Sequence, residues 1–74
     1  MENYDIHNKI GQKIKEIRNN KNLSQEKLAN IADIDRTYLP DIEKGNGKIS
    51  IQILNKITNA LEIRLSDFFK DINL

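Results

Sequence analysis

Residues 25–44 read QEKLANIADIDRTYLPDIEK, and the fold that we predict depends on this stretch. It consists of two short segments with apolar residues at helical spacing, joined by Asp33 and Ile34. Two helices so close in sequence can cross steeply when a small residue lies at their approach and the turn accepts a left-handed backbone. Ala29 is small enough for the approach, Asp33 tolerates the left-handed region, and Ile34 can fill the space beneath the turn. We therefore predict a helix-turn-helix over residues 25–44.

Helical periodicity continues on both sides of this motif. Isoleucines recur at intervals of three and four between residues 6 and 17, which predicts an amphipathic first helix. Ser24, Asp35 and Ser50 precede later apolar segments as favourable N-cap residues. The predicted helices cover residues 6–20, 25–31, 35–43, 51–61 and about 65–72. The sequence thus predicts a compact all-α domain of five helices over residues 1–74, with the helix-turn-helix at its centre.

Composition narrows the class of protein. The chain has 74 residues, which is enough for one domain, and it contains no cysteine and a single histidine, His7. We therefore expect no metal site, no cofactor, no small-molecule ligand and no enzymatic activity, since so small a chain hardly encloses a pocket. Its first residues are polar and no apolar run approaches the length of a membrane span, so we expect a cytoplasmic protein without membrane contact.

Charge is distributed unevenly along the chain. The formal net charge is +1, which does not by itself indicate a nucleic-acid partner. Residues 23–45 carry three basic and five acidic side chains, so the predicted motif is locally acidic. Any attraction for phosphate must therefore come from a few placed side chains and backbone amides.

The outward face of the second motif helix carries Arg36, Thr37 and Asp41. Arginine can bond bidentately to guanine, a threonine methyl can contact the thymine methyl, and an aspartate can accept only from cytosine N4. Pro40 lies within the same predicted helix, where proline removes a backbone donor and crowds the preceding turn. We therefore expect either a kink at Pro40 or a distorted first turn beneath Arg36.

Several short motifs together resemble a known family. They are IKEIR at residues 14–18, LSQEKLA at 23–29, DRTYL at 35–39, IEKG at 42–45 and DFF at 67–69. In this combination they resemble the Xre/Cro–cI family of helix-turn-helix repressors, across roughly residues 10–70. The resemblance implies a lambda-repressor-like fold and a dimer that binds double-stranded DNA at a palindromic operator. The DRTY segment and the small size further resemble the controller proteins of restriction–modification systems.

The resemblance also implies a role for individual residues. The positions implied to contact bases are Arg36, Thr37 and Asp41. The positions implied to bind backbone phosphates are Arg18, Gln25, Tyr38, Lys44, Asn46 and Lys48. The helix at about residues 65–72 would form the dimer interface, through Phe69 and Ile72. Each polar residue could instead be a solvated surface side chain, and Arg36 could pair with Asp33 or Asp35.

Two other functions remain open at this point. The same domain could serve as a phage or mobile-element repressor or as an antitoxin, which would keep the DNA partner and change the biology. It could also be a helical protein-interaction module without DNA, which the local acidity and Pro40 would favour.

Overall fold

The computed structural model describes residues 4–46 and 49–72, with side chains from residue 6 onward. In this part of the chain every regular element is an α-helix, which confirms the predicted all-α fold. The helices are α1 (Tyr4–Asn20), α2 (Gln25–Ala32), α3 (Tyr38–Lys44), α4 (Ile51–Ala60) and α5 (Leu65–Asp71). None of the helices described here has the length and apolarity needed to cross a bilayer.

One hydrophobic core holds the helices together. The apolar stripes predicted from periodicity converge on it, because α1 packs against α3 and α2 packs against α4. The large side chains that lie fully inside are Ile14, Leu28, Leu39, Leu54, Ile57, Leu61 and Phe68. Ala29 is also fully buried, as its predicted place at the approach of two helices requires.

The contact between α1 and α3 depends on a glycine in the middle of α1. A Cβ atom on Gly11 would collide with the carbonyl oxygen of Ile42 and would lie 2.9 Å from that of Glu43. Both obstacles are backbone atoms, which cannot turn aside as a side chain could. Gly11 therefore sets how closely the first helix approaches the third.

The turn of the helix-turn-helix forms as predicted. Ser24 caps α2 by accepting a hydrogen bond from the Lys27 amide at 3.0 Å. Asp33 adopts the left-handed conformation, with φ of 60°, and ends the helix. The Ile34 amide then donates to the Ala29 carbonyl at 3.0 Å, which closes the C-terminal turn.

The start of α3 differs from the prediction. We expected the helix to begin after Asp35, whereas it begins at Tyr38, and residues 36 and 37 form a tight turn before it. The Tyr38 amide donates to the Asp35 carbonyl at 3.1 Å and the Leu39 amide to the Arg36 carbonyl at 3.3 Å. These are bonds across three residues rather than four, so the first turn is tightened. Pro40 thereby becomes the third residue of α3, where its missing donor costs little.

The side chain of Asp35 holds this turn together. Its Oδ1 atom accepts hydrogen bonds from the Thr37 amide at 3.0 Å and from the Thr37 hydroxyl at 2.9 Å. The hydrogen bond from the Thr37 amide lowers the pKa of Asp35 most, and the hydrogen bond from the Thr37 hydroxyl lowers it further, so this pKa lies below its ordinary value. The ionised carboxylate is therefore the form that stabilises the segment before α3.

We expect Gly11→Ala to destabilise the fold through its clash with the α3 backbone. Overpacking of this kind costs about 1–3 kcal/mol, which exceeds the gain of about 1 kcal/mol from alanine's helix propensity. Urea unfolding should show a lower midpoint for Gly11→Ala, whereas Gln12→Ala, at an exposed position of the same helix, should not. An unchanged midpoint for Gly11→Ala would show that α1 and α3 can separate freely.

We also expect Asp35 to add stability that depends on pH. Because its folded pKa lies below the unfolded one, its contribution is complete above the unfolded pKa and is lost as the pH falls through the folded pKa. Asp35→Asn keeps a neutral acceptor for Thr37, so it should lack this dependence. Urea unfolding of both proteins from neutral pH to below ~3.9, the ordinary pKa of an aspartate, tests this. If the free energy of unfolding falls with pH by the same amount in both proteins, Asp35 makes no pH-dependent contribution.

Candidate nucleic-acid interface

The predicted base-contacting side chains lie in the turn before α3 and in the first turn of that helix. Arg36 lies in the turn before α3 with 67% of its side chain exposed. Its Nη1 atom is 3.2 Å from Oε2 of Glu26, in the first turn of α2. The structure therefore pairs Arg36 with a residue ten positions upstream, rather than with Asp33 or Asp35. Exposed ion pairs of this kind are weak and are screened by salt, so Arg36 can exchange its partner readily.

Thr37 is exposed, and its hydrogen-bonding capacity is partly used. The hydroxyl already donates to Asp35, so it has no hydrogen left for a base acceptor. The side chain can still offer its methyl group and the remaining lone pair of its oxygen. This arrangement suits the predicted apolar contact with a thymine methyl.

Tyr38 and Asp41 occupy the first turn of α3. Tyr38 is 53% exposed and Asp41 is exposed, so both side chains are accessible from solvent beside Arg36. We define the recognition surface as the four exposed residues Arg36, Thr37, Tyr38 and Asp41. The carboxylate of Asp41 disfavours a phosphate group at this surface, because like charges repel each other.

The other end of α3 carries two of the predicted phosphate-binding residues. Lys44 is exposed in the last turn and Asn46 is exposed two residues later. Gly45 between them has a φ of 78°, and the Asn46 amide donates to the Asp41 carbonyl at 3.0 Å. Gly45 is therefore the C-cap that ends α3. Lys48 falls outside the described residues.

The structure corrects the role predicted for Arg18. We expected Arg18 on the surface against a phosphate, but it is only 9% exposed. Its Nε and Nη2 atoms donate to the two carboxylate oxygens of Glu43, at 2.7 and 3.0 Å, and Nη1 donates to the Leu23 carbonyl at 2.7 Å. These internal bonds use three of the five N–H donors of the guanidinium and hold it between α1 and α3. Arg18 is therefore a structural residue.

Gln25, the first residue of α2, is tied to the same buried pair. Its Nε2 atom donates to Oε1 of Glu43 at 3.0 Å. Sequence reasoning missed Glu43, although its position offered a signal. It follows Leu39 by four residues and Ile42 by one, so it falls on the inward side of α3.

The C-terminal helix also requires a correction. Ile72 was predicted in the dimer interface, yet it is 7% exposed and belongs to the core. It lies just after α5 in an extended conformation that returns the chain to the core. Phe69 is half-buried and meets Phe68 edge to face, with ring centroids 5.7 Å apart. Phe68 fills the core, so of the two aromatic rings only Phe69 retains a surface to offer a partner.

Comparison with known proteins agrees with this geometry. The HTH_3 helix-turn-helix family matches residues 14–68. The control protein C.MunI of Mycoplasma sp is 45% identical over 69 residues, which are 92% of this chain and 93% of that protein. The immunity repressor of Bacillus phage phi105 is 40% identical over 57 residues, which are 77% of this chain and 40% of that protein.

A solved structure extends the similarity to three dimensions. The restriction–modification controller protein C.Esp1396I, solved as a tetramer with its natural 35 base-pair operator, is 35% identical and superposes with a TM-score of 0.84. The match covers 89% of this chain and 87% of that one. With the helix-turn-helix match over most of its length, the chain belongs to the Xre-like helix-turn-helix family of DNA-binding regulators.

Proposed function

We propose that this protein is a controller of the restriction–modification type, which binds double-stranded operator DNA as a dimer and regulates transcription in the cytoplasm. The observation that carries the proposal is the exposed recognition surface at the start of α3, with Arg36 held at its edge by a weak pair. Residues at this end of the second helix are the ones that meet base edges when such a motif enters the major groove.

Arg36 is the residue we propose as the main base contact. Its guanidinium carries five donors, and the pair with Glu26 uses one nitrogen. In the major groove it would bond to O6 and N7 of a guanine, and Thr37 would lie against a neighbouring thymine methyl. Asp41 is proposed as an acceptor for a cytosine amino group on the same strand or its complement.

Phosphate contacts would come from the two ends of the motif. Gln25 offers its amide group at the start of α2, where backbone N–H groups favour an anion. Lys44 and Asn46 would bind on the far side of α3, with Tyr38 and Lys48 as further candidates. Because the motif is otherwise acidic, these few contacts carry the attraction, and binding should weaken steeply with salt.

The controller role rests on the extent of the similarity. The chain matches C.MunI over nearly the whole of both proteins, whereas the phage immunity repressor is more than twice the length of its matched part. We therefore propose a dimeric regulator that acts at an operator, its own promoter included. Its two half-sites would lie about one helical turn, ~34 Å, apart.

We expect Arg36→Ala to weaken operator binding by about 10- to 100-fold, because a bidentate contact to guanine is worth roughly 1–3 kcal/mol. Binding to unrelated DNA should change much less. Gel-shift titrations with the DNA upstream of the gene test this, and Arg64→Ala, another exposed arginine, is the matched control. An equal loss of operator affinity in both variants, or no gel shift with any fragment at low salt, would contradict the base-contact proposal and favour a protein-interaction module.

We expect the dimer to depend on Phe69. Phe69→Ala should raise the dimer dissociation constant at least tenfold, since truncating an aromatic anchor typically costs about 2 kcal/mol or more. Sedimentation equilibrium measures the constant, and thermal melts verify that the variant is folded. Tyr38→Ala removes an aromatic ring on the recognition surface and should leave the constant unchanged. If Phe69→Ala dimerises like the wild type, Phe69 lies outside the interface.

A further inference from the structure

Glu43 makes more bonds than its burial requires. Its side chain is 4% exposed, and its carboxylate is satisfied by the guanidinium of Arg18. A buried carboxylate needs such a partner to offset its lost hydration. The additional bond from Gln25 reaches from α2 to α3, between residues 18 positions apart. One carboxylate therefore joins three helices, and one of its partners is a side chain proposed to contact DNA.

The bond has a direct consequence for the carboxamide of Gln25. The Nε2 atom carries two hydrogens, and Glu43 receives one of them. The other remains for a second acceptor. An exposed glutamine would sample many rotamers and lose that freedom on binding, whereas a side chain already held in place loses little. Gln25 is half-buried at the first position of α2, where a phosphate is favoured.

Charge balance makes the arrangement compatible with an anionic ligand. A lone carboxylate one hydrogen bond away from a phosphate would repel it. Arg18 contributes the opposite charge to Glu43, so the group of Arg18, Glu43 and Gln25 is formally neutral. It presents an N–H donor without a net negative charge.

We propose that Glu43 is a positioning residue for DNA binding, which orients the carboxamide of Gln25 toward a backbone phosphate before the DNA arrives. The inference rests on the proposed function and deepens it. In this arrangement Arg18 supports DNA binding indirectly, by pairing with Glu43, and does not make the phosphate contact that the sequence predicted for it. The ligand chemistry is a phosphodiester of the operator, bound by the second hydrogen of Gln25 Nε2.

The test is a double-mutant cycle on operator affinity. Replacing both partners, in Arg18→Met/Glu43→Leu, removes the carboxylate without leaving a buried charge alone, an exchange that is often neutral or stabilising. Gln25→Ala should weaken binding about 10- to 100-fold in the native protein, as expected for one lost hydrogen bond to a charged group. In the Arg18→Met/Glu43→Leu protein, which we call the apolar-pair protein, Gln25→Ala should change operator affinity less than twofold. The same loss in both backgrounds would overturn the proposal.

Salt dependence separates this role from a direct contact by Arg18. The apolar-pair protein should lose affinity and keep the wild-type slope of log affinity against log salt. A phosphate contact by Arg18 would lower that slope by about 0.9, which is the change expected for Lys44→Ala. A lowered slope in the apolar-pair protein would therefore assign the effect to Arg18 itself and reject the positioning role.

A measurement on the unaltered protein covers the case in which the apolar-pair protein does not fold. The ¹⁵N relaxation of the Gln25 side-chain amide should show backbone-like rigidity in the free protein, whereas exposed Gln12 should be mobile. Equal mobility of the two amides would overturn the proposal. The proposed function is judged separately, because Arg36→Ala tests operator recognition whether or not Gln25 is held.

Discussion

The pairing of Arg18 with Glu43 is the constraint on which the rest of the structure depends, because neither charge can be buried without the other. It joins α1 to α3 inside the protein, and the same guanidinium holds the loop before α2 through the Leu23 carbonyl. Removing one partner of such a pair typically costs about 3–5 kcal/mol, because the other charge is left buried and alone. For a domain of this size that is a large share of the total stability. Gly11 allows the two helices to approach closely enough for the pair to form, so packing and electrostatics here depend on each other.

Much of the fold could be predicted because the information is local. Isoleucine spacing, the serine caps and the small residue at position 29 each act within a few residues, and the structure confirms the elements they predict. The start of α3 could not be placed in the same way. Helix propensity and Asp35 as an N-cap favoured an earlier start, whereas Pro40 and the two hydrogen bonds that Thr37 donates to Asp35 favoured a tight turn. The competing signals occupy the same six residues, and only the backbone geometry shows which one prevails.

The exposed side of the candidate site was easier to predict than its buried side. The exposure of Arg36, Thr37 and Lys44 follows from their positions on the outer face of the motif, and their contacts with DNA stay predictions. Arg18 was placed wrongly because its partner is 25 positions away, and a surface arginine and a buried one look alike in sequence. Ile72 was placed wrongly for a related reason, since a short helix does not reveal whether the residue after it turns inward. Long-range pairing and chain reversal, rather than residue type, decided these cases.

The turn at residues 35–37 has a consequence for how such a protein can diversify. Its shape is maintained by the hydrogen bonds of Thr37 to the Asp35 carboxylate and by Pro40 downstream, not by the regular backbone hydrogen bonds of an α-helix. Arg36 contributes its side chain to none of these bonds, so replacing it leaves both the core and the turn intact. Residues with poor helix propensity are tolerated there as readily as good ones, because the position lies outside the helix. New operator preferences could therefore arise by single substitutions at this position at almost no cost in folding, while the buried framework stays constant.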